Sequence, residues 1–336
     1  MNKAGRHALV LGATGHIGNA ITRELLQHGY RVTAATRQAR PEALAAIAVP
    51  GLEIVCGDID QPGQLASWVP GHELVIDAAA PYPLNLFAAT AASERAPLAH
   101  ARRRMSALLD SVAREGAALG HVSSYTTLPR PSAEGAFAAT EARARRAVHP
   151  YFAVKAAMEA MALEAARGGL RAVVVNPSAC LGPWDRRPRE LCVVPMLVAG
   201  QVPALVARSF NVIDVRDVAL ALRIALEQGL FGRPIALAGH DCRTDALADR
   251  VCALAGAAAP RLRVPARLAV AGALWAEAAW AVLGRPSPLP AIGPLLVLDG
   301  YPMAHSAEQR ALGIAPRPLD ETLRDAIAWY RQIGYC

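Results

Sequence analysis

A tyrosine and a lysine one helical turn apart give the strongest indication of chemistry in this chain of 336 residues. In Tyr151-Phe-Ala-Val-Lys155 the spacing places the phenol and the ammonium on one face of a helix. Lysine occurs only as Lys3 and Lys155, and arginine serves nearly every other cationic position. Because an ammonium is a compact charge that lowers the pKa of a neighbouring phenol, the pair predicts acid–base chemistry by Tyr151. The alternative is a plain contact on a helix surface.

Ser123 and Ser124 end a predicted strand, which the sequence places at 121–124. Ligands of open α/β sheets bind at the carboxyl ends of the strands. The hydroxyl of Ser124 is therefore expected to hydrogen-bond a substrate oxygen and to stabilise charge that develops on it. For Ser123 we favour the ordinary alternative, a serine that caps a loop.

Three glycines lie between an apolar run at 7–11 and a helical pattern at 17–27. Glycine allows a tight turn and a close approach of the backbone to a pyrophosphate, whose charge lies at the N-terminus of the helix. The sequence therefore predicts a nucleotide-binding loop, with a purely structural turn as the alternative. The predicted contacts are Gly12, Thr14, Gly15, His16, Ile17 and Gly18, with His16 contributing only its backbone.

The end of the second predicted strand decides between two cofactors. Folds that bind NAD place an acidic residue about 20 residues past the glycine loop, where it holds the ribose. Here the sequence reads Ala35-Thr36-Arg37, with Arg40 close by and no acid. A guanidinium suits a 2′-phosphate, so Arg37 favours NADP(H) over NAD(H), with a solvated surface arginine as the alternative. After the third strand, Asp58 is expected to accept a hydrogen bond from adenine or to cap a helix.

Alternating strands and helices would position these residues. Apolar runs predict strands near 7–11, 31–35, 53–56, 73–78, 121–124 and 171–175, and helical patterns occur near 17–27, 42–48, 62–68, 98–115 and 151–167. This alternation predicts a mostly parallel sheet with helices on both faces. Right-handed crossovers then favour an α/β fold with a Rossmann-type doubly wound parallel sheet.

The sequence pattern changes after residue 176, where prolines become frequent and strand and helix patterns no longer alternate regularly. We therefore predict an NADP-binding Rossmann domain over 1–178 and a smaller C-terminal substrate lobe over 179–209 and 241–336. The segment 210–240 has the pattern of strand, helix and strand, and is expected to cross back to the first domain.

Charge and composition exclude several classes of protein. The formal charge of +7 comes from scattered arginines, with no basic stretch interleaved with aromatic residues, so nucleic-acid binding is not expected. The six cysteines form no CxxC motif and predict neither a zinc site nor a disulfide framework. No signal peptide is visible, which predicts a cytoplasmic protein. The segments 268–284 and 191–207 are too interrupted to span a bilayer, and a peripheral membrane contact is the alternative for them.

Taken together, the motifs resemble the extended short-chain dehydrogenase/reductase family, also called the NAD-dependent epimerase/dehydratase family. The resemblance covers nearly the whole chain, and the sequence is most similar to the branch of dihydroflavonol-4-reductase-like and hopanoid-associated sugar epimerase-like enzymes. The matching features, in order, are Gly12-x-x-Gly15-x-x-Gly18, Gly57-Asp58-Ile59, Ser123-Ser124, Tyr151-x-x-x-Lys155, Asn176-Pro177-Ser178, Leu181-Gly-Pro-Trp-Asp185 and Trp329-Tyr330.

The resemblance implies a role for each matching residue. Ser124 would hold the substrate carbonyl, Tyr151 would exchange the proton, and Lys155 would bind the nicotinamide ribose and lower the pKa of Tyr151. The other implied cofactor contacts are adenine for Asp58 and Ile59, the ribose side for Ala78, Ala79 and Ala80, and the nicotinamide for Pro177 and Ser178. A homodimer through the helices near 98–115 and 151–167 would be ordinary for the family.

The chain also departs from the family pattern. The fourth strand reads Ile76-Asp77-Ala78-Ala79 where the family often has His-x-Ala-Ala, and Val154 replaces a common Ser or Thr before the lysine. The asparagine of the helix before the fifth strand is missing near 101–104, which leaves no such residue for a proton relay. The Thr-Asp-Glu pattern of sugar-nucleotide dehydratases is absent after Ser124, which argues against that activity.

The leading expectation is an NADPH-dependent reduction of an apolar aldehyde or ketone, with Tyr151 as general acid. The alternative is a nucleotide-sugar epimerase with tightly held NAD(P) and no net redox change, and the intact pair of Tyr151 and Lys155 disfavours a non-catalytic redox-sensing binder. Tyr82 and Trp184 join Ser124 as candidate substrate contacts, although aromatic residues are more often core. The arginines available to a sugar diphosphate are Arg186, Arg187, Arg189, Arg216 and Arg233.

Overall fold

The computed structural model describes residues 6–37, 52–61, 63–79, 91–130, 149–202, 204–285, 287 and 290–336, without the side chains of 91–96 and 190. The helix predicted at 42–48 lies outside the described residues, as do Arg40, Ala80 and Tyr82.

The described strands are β1 (His7–Leu11), β2 (Arg31–Thr36), β3 (Leu52–Cys56), β4 (Leu74–Asp77), β5 (Ala118–Val122), β6 (Ala172–Pro177), β7 (Ala179–Leu181), β8 (Leu205–Val206), β9 (Ser209–Asp214), β10 (Pro234–Leu237), β11 (His240–Arg243) and β12 (Arg263–Val264). The described α-helices are α1 (His16–Gln27), α2 (Gln64–Trp68), α3 (Ala91–Glu115), α4 (Pro150–Arg167), α5 (Val193–Val198), α6 (Val215–Gln228), α7 (Thr244–Ala255), α8 (Ala266–Val282), α9 (Ile292–Asp299), α10 (Ala307–Ala311) and α11 (Leu319–Gln332).

A parallel sheet of seven strands forms the centre of the molecule, in the order β10-β6-β5-β4-β1-β2-β3. The chain runs outward from β1 through β2 to β3 and then restarts at β4 on the other side of β1. This reversal defines a doubly wound sheet, so the predicted fold class is confirmed. Ligands of such sheets bind at the carboxyl ends of the strands beside the reversal.

Helices cover both faces of the sheet, so its strands are apolar along nearly their whole length. Helices α1 and α6 cover one face through residues such as Ile21 and Leu222. Helices α3 and α4 cover the other through residues such as Leu108 and Met158. Strands buried on both faces in this way are typical of parallel sheets.

One predicted strand lies several residues from its observed position. The sequence places the fifth strand at 121–124, whereas β5 is Ala118–Val122. Gly120 is an interior position of this strand, because a Cβ there would lie 2.7 Å from Ile76 Cδ1 and 3.2 Å from Leu222 Cδ1. The predicted strand begins directly after Gly120, whereas the observed strand includes it. Ser123 and Ser124 follow β5 instead of ending it.

Two smaller sheets, β11-β9-β7 and β12-β8, lie beyond the central one. Strand β10 pairs with β6 in the central sheet, whereas β9 pairs with β7 and β11. Helices α5, α7 and α11 share an apolar cluster around Leu197, Val251 and Ile327. The division into domains stated above remains a prediction. None of the helices in the described ranges has the length and apolarity needed to cross a membrane.

Candidate active site

The phenol of Tyr151 and the hydroxyl of Ser124 meet at the carboxyl edge of the sheet. Ser124 begins a short 3₁₀ turn directly after β5, and its Oγ accepts hydrogen bonds from Thr126 N at 3.2 Å and Thr126 Oγ1 at 3.0 Å. Tyr151 Oη donates to the same oxygen at 3.3 Å, and both side chains are buried. This bond is long, as catalytic hydrogen bonds often are before a substrate is bound.

His149 fixes the start of the helix that carries the tyrosine. It is the N-cap of α4, where its Nδ1 accepts a hydrogen bond from Tyr151 N at 3.2 Å, and Pro150 follows as the first helical residue. Burial lowers the pKa of His149 to about 4, so the ring stays neutral and able to accept. Tyr151 is therefore held in the first turn of α4 by a cap that does not titrate near neutral pH.

Lys155 lies under the end of β5, one turn further along α4. Its Nζ donates to Val122 O at 3.0 Å and lies 3.5 Å from Ser123 O. Burial lowers the pKa of Lys155 to about 8, although the charge of Asp77 raises it. The ammonium is thus mostly protonated at neutral pH and reaches the segment that carries Ser124.

Burial raises the pKa of the Tyr151 phenol, whereas its hydrogen bonds with the Ser124 and Thr126 hydroxyls lower it. The direction is opposite to the lowered pKa that the pairing with Lys155 predicts. Desolvation wins because the phenolate would carry its charge at a buried position. A protonated phenol is the form that a general acid needs.

Glu159 ties the ends of three elements together beneath the site. Its buried Oε2 accepts from Ser123 Oγ, from Thr127 Oγ1 at 2.5 Å and from Asn176 Nδ2 at 2.6 Å. Asn176 Nδ2 also lies 3.1 Å from Ser124 O. Sequence reasoning missed Glu159, although its position four residues after Lys155 places it on the same face of α4.

The glycine loop brings the ends of β1 and β4 into contact. Gly12 has φ +79°, and a Cβ on it would lie 2.9 Å from Ala79 Cα. A Cβ on Gly18 would lie 2.1 Å from Gly12 O, so only glycine allows α1 to start so close to β1. Ser178 Oγ, just past β6, is buried with no hydrogen-bond partner in the described part of the chain. A cradle of bare backbone and a hydroxyl left for a ligand both fit a nicotinamide dinucleotide.

Two segments that depart from the family pattern contact each other beside the predicted ribose site. Arg104 donates to Ala79 O, and its Nη2 lies 3.3 Å from Asp77 Oδ1. His121 Nδ1 lies 3.0 Å from Asp77 Oδ2. Although burial opposes it, Arg104 and His121 hold the pKa of Asp77 well below its usual range. Arg104 thus fixes the end of β4 by two interactions, a hydrogen bond to a backbone carbonyl and a buried ion pair.

The remaining predicted contacts lie around the edge of the sheet. Arg37 is exposed directly after β2, and Ile59 is buried after β3 beside Asp58, whose Oδ1 accepts from Asp60 N at 3.0 Å. Trp184 adopts φ 71° and packs beneath the Arg23 guanidinium of α1, 4.8 Å from the ring centre. The ligand contacts assigned to these residues stay predictions. The structure also gives the positions of the other residues that are predicted to contact the cofactor. Thr14 and Gly15 precede α1, His16 and Ile17 begin it, Ala78 follows β4 and Pro177 ends β6.

The doubly wound sheet, the glycine loop and the Ser–Tyr–Lys site define a dinucleotide-binding α/β protein. The chain belongs to the NAD dependent epimerase/dehydratase family, whose model matches residues 8–237. This confirms the resemblance stated from the motifs. The family consists of NAD-dependent enzymes that bind an NAD(P) nucleotide.

Relatives span nearly the full length of this chain. It is 27% identical to a Synechocystis sp. protein named "Putative dihydroflavonol 4-reductase", over 97% of this chain and 95% of the relative. It is 28% identical to sterol demethylase protein B of Methylococcus capsulatus, over 97% and 98%. The solved structure of gox2253 matches with TM-score 0.73 and 26% identity over 99% of both chains. A nucleoside-diphosphate-sugar epimerase of Pseudomonas aeruginosa, 22% identical with TM-score 0.70 over 99% of both chains, shares the fold.

Proposed function

We propose that the protein reduces an aldehyde or ketone of apolar character with NADPH. The observation that carries this proposal is the buried phenol of Tyr151, held 3.3 Å from Ser124 Oγ and kept protonated by burial. A carbonyl oxygen placed against these two hydroxyls would meet a hydrogen-bond donor and a proton donor together. The name of the Synechocystis relative, a 4-reductase, supports the same class of reaction.

Each residue of the site has a distinct task in this reaction. Ser124 holds and polarises the carbonyl oxygen, and Tyr151 gives its phenolic proton to that oxygen as the C–H bond forms. The glycine loop and Ser178 would hold the cofactor, whose nicotinamide would supply the hydride for the carbonyl carbon. The ammonium of Lys155 then stabilises the phenolate of Tyr151, which regains a proton from solvent. Glu159 positions the segment of Ser123 and Ser124 by its hydrogen bonds.

A nucleotide-sugar epimerase that holds NAD(P) tightly is the second candidate. The Nε atoms of Arg186 and Arg189 are buried with no hydrogen-bond partner among the described residues. These two donors could bind the diphosphate of a nucleotide sugar, which favours the epimerase. Other arginines that could hold a diphosphate already pair with carboxylates. Arg187 lies 2.6 Å from Asp185, and Arg216 lies 2.7 Å from Asp214. These pairs favour the reductase.

Net oxidation of NADPH with a panel of aldehydes, ketones and nucleotide sugars tests the proposal. Tyr151→Phe should lower kcat by about 100-fold or more, because general acid catalysis contributes that much. Its affinity for NADPH should stay within about twofold, since the phenol acts on the substrate oxygen. The matched control is Tyr335→Phe, which removes the hydroxyl group from a ring that stacks on Tyr330 and should leave kcat unchanged. An active Tyr151→Phe enzyme would refute the role of Tyr151, and a changed sugar without loss of NADPH would establish the epimerase.

Arg37 provides a separate test of the cofactor. Arg37→Ala should raise KM for NADPH by about tenfold or more and leave KM for NADH unchanged, because a charged hydrogen bond to the 2′-phosphate is lost. Arg31→Ala is the matched control, since Arg31 is an exposed arginine at the opposite end of β2. Equal kinetics for the two variants would show that Arg37 does not contact the 2′-phosphate.

A further inference from the structure

Helix α8 carries a stripe of exposed apolar side chains. Leu268, Trp275 and Val282 are 64%, 79% and 88% exposed. They are seven residues apart, which places them on one face of the helix. Leu262 and Leu283, near the two ends of α8, are also exposed, at 59% and 64%. Single exposed apolar residues are normal, but a continuous stripe of large ones marks an interaction surface.

The opposite face of α8 packs into an apolar cluster that includes Tyr151 of the active site. Ala273 is buried in an apolar cluster with Tyr151 and Phe152, and Leu274 packs against the same cluster. Glu277 is 1% exposed and accepts a hydrogen bond from Ala291 N at 2.6 Å, which joins α8 to the start of α9. The exposed stripe is therefore the outer surface of a well-anchored helix.

Positive charge surrounds the stripe at both ends. Arg261 and Arg267 are exposed around the start of α8, and Arg285 is exposed just past its end. The only acidic residue within α8 is Glu277, which is buried. Of these arginines and Arg263, only Arg263 has acids close by among the described residues, at 3.9 Å from Asp245 and from Asp249. An apolar stripe with Trp at its centre and arginines at its ends is complementary to an anionic lipid surface.

A second copy of the chain fits this surface less well. Symmetric pairing of two α8 helices would place Arg267 beside the partner copy's Arg285 if the helices ran antiparallel. A parallel pair would place each arginine beside its own equivalent. Neither arrangement brings an exposed carboxylate of α8 against these charges, so both create like-charge contacts at the rim of the apolar contact.

We propose that the outer face of α8 docks on an anionic membrane surface. The helix lies in the plane of the interface, with Leu268, Trp275 and Val282 among the lipid chains at the headgroup boundary. Arg261, Arg267 and Arg285 face the lipid phosphates. Because the inner face of α8 packs against Tyr151, docking places the wall of the active site next to the bilayer.

Sedimentation with lipid vesicles tests the docking surface. The wild-type protein should bind vesicles that contain phosphatidylglycerol and should bind pure phosphatidylcholine vesicles at least tenfold more weakly, with binding to the anionic vesicles reduced by salt. The triple variant Leu268→Ser, Trp275→Ser, Val282→Ser should lose at least tenfold in binding. Val193→Ser is the matched control, because Val193 is an exposed apolar residue, 44% exposed, on α5.

A second variant and a second readout separate docking from loss of structure. Arg267→Glu with Arg285→Glu leaves the apolar stripe intact and should also weaken binding to the anionic vesicles. Failure of the wild type to bind them, or equal binding by wild type and variants, would overturn the proposal. So would a dimer in light scattering that the triple variant disperses, which would assign the surface to a second copy. Vesicle binding needs no carbonyl substrate, so its failure would leave the proposed reductase untouched.

Discussion

The position of Ser124 depends on a carboxylate that does not touch it. Glu159 accepts hydrogen bonds from Ser123 and Thr127, the neighbours of the Ser124 turn, and from Asn176 at the end of β6. These donors converge on one buried oxygen, so removal of the carboxylate would take away an acceptor that all of them share. Glu159 is therefore a positioning residue that holds the substrate hydroxyl against Tyr151.

Replacing Glu159 separates this positioning role from general stability. Glu159→Ala should lower the free energy of unfolding by about 1–3 kcal/mol, because buried donors lose their acceptor. It should lower kcat by about tenfold with little change in KM for NADPH, and Glu159→Gln should restore part of kcat through its carbonyl oxygen. Kinetics and urea unfolding measure both effects. Glu164→Ala is the control, since Glu164 is exposed and pairs with the exposed Arg167 within α4. A Glu159→Ala enzyme with wild-type kcat would contradict the role.

At the scale of single residues, spacing predicts only partners on the same element. The four-residue intervals place Tyr151, Lys155 and Glu159 on one face of α4, and the first two could be recognised from the sequence. The partners of Glu159 lie 36, 32 and 17 residues away in the chain, on segments whose register depends on the whole sheet. Likewise, the segments that contain Asp77 and Arg104 visibly depart from the family pattern, but the contact between these two residues across 27 positions is not visible in the sequence.

The turn from β1 into α1 shows how one element depends on the absence of side chains. Gly15 N donates to Gly12 O at 2.9 Å, and Asn19 N donates to Gly15 O at 2.8 Å, which closes the turn and begins the helix. No side chain caps α1 at Gly15. The first turn of the helix therefore presents backbone N–H groups to a bound phosphate.

A methyl group at Gly18 should force α1 away from β1. Its Cβ would lie 2.1 Å from Gly12 O and 2.8 Å from Gly12 C, and neither backbone atom can move aside alone. Gly18→Ala should lower the free energy of unfolding by about 1–3 kcal/mol and weaken NADPH binding by at least tenfold. The control is Gly272→Ala in α8, where nothing lies within 4 Å of the new Cβ, and which should stabilise by up to about 1 kcal/mol. Thermal unfolding and cofactor titration measure both variants, and tight NADPH binding by Gly18→Ala would contradict this account.

At the scale of elements, periodicity predicted the fold class and, of the six strands that it located before residue 178, five within one or two residues. The exception is β5, because a glycine inside a strand has the same appearance in the sequence as a glycine that ends one. Whether the strand continues through the glycine depends on the side chains that pack against it from neighbouring elements. Ile76 of β4 and Leu222 of α6 fill the space above Gly120. The sequence of β5 alone contains no information on these neighbours.

At the scale of the whole molecule, Asp185 joins the glycine loop to the C-terminal helix. Its Oδ2 accepts from Tyr330 Oη at 2.9 Å and from Arg187 Nη2 at 2.6 Å, and its carbonyl oxygen accepts from Trp329 Nε1 at 2.9 Å. His16 Nδ1, in the first residue of α1, lies 3.8 Å from Asp185 Oδ2. Two motifs that the sequence shows nearly 150 positions apart are thus direct partners, and α11 is attached to the cofactor side of the molecule through one carboxylate.

Neutralising Asp185 should weaken this attachment in a pH-dependent way. Burial opposes its charge, but Arg187 and His16 hold the pKa of Asp185 well below the usual 3.8, so the ionised carboxylate stabilises the fold above about pH 4. Asp185→Asn should lower the free energy of unfolding at pH 7 by about 2–3 kcal/mol, less than for a fully buried pair, because Arg187 is 41% exposed and can turn to water. The control is Asp249→Asn, since Asp249 is exposed on α7 and lies 3.9 Å from Arg263, and no measurable change is expected.

As the pH falls below 4, the wild type loses the contribution of the ionised group and the difference in the free energy of unfolding between wild type and Asp185→Asn should shrink. Urea unfolding at pH 7 and at about pH 3.5 measures it, and a difference that grows on acidification would show that Asp185 is not the stabilising carboxylate.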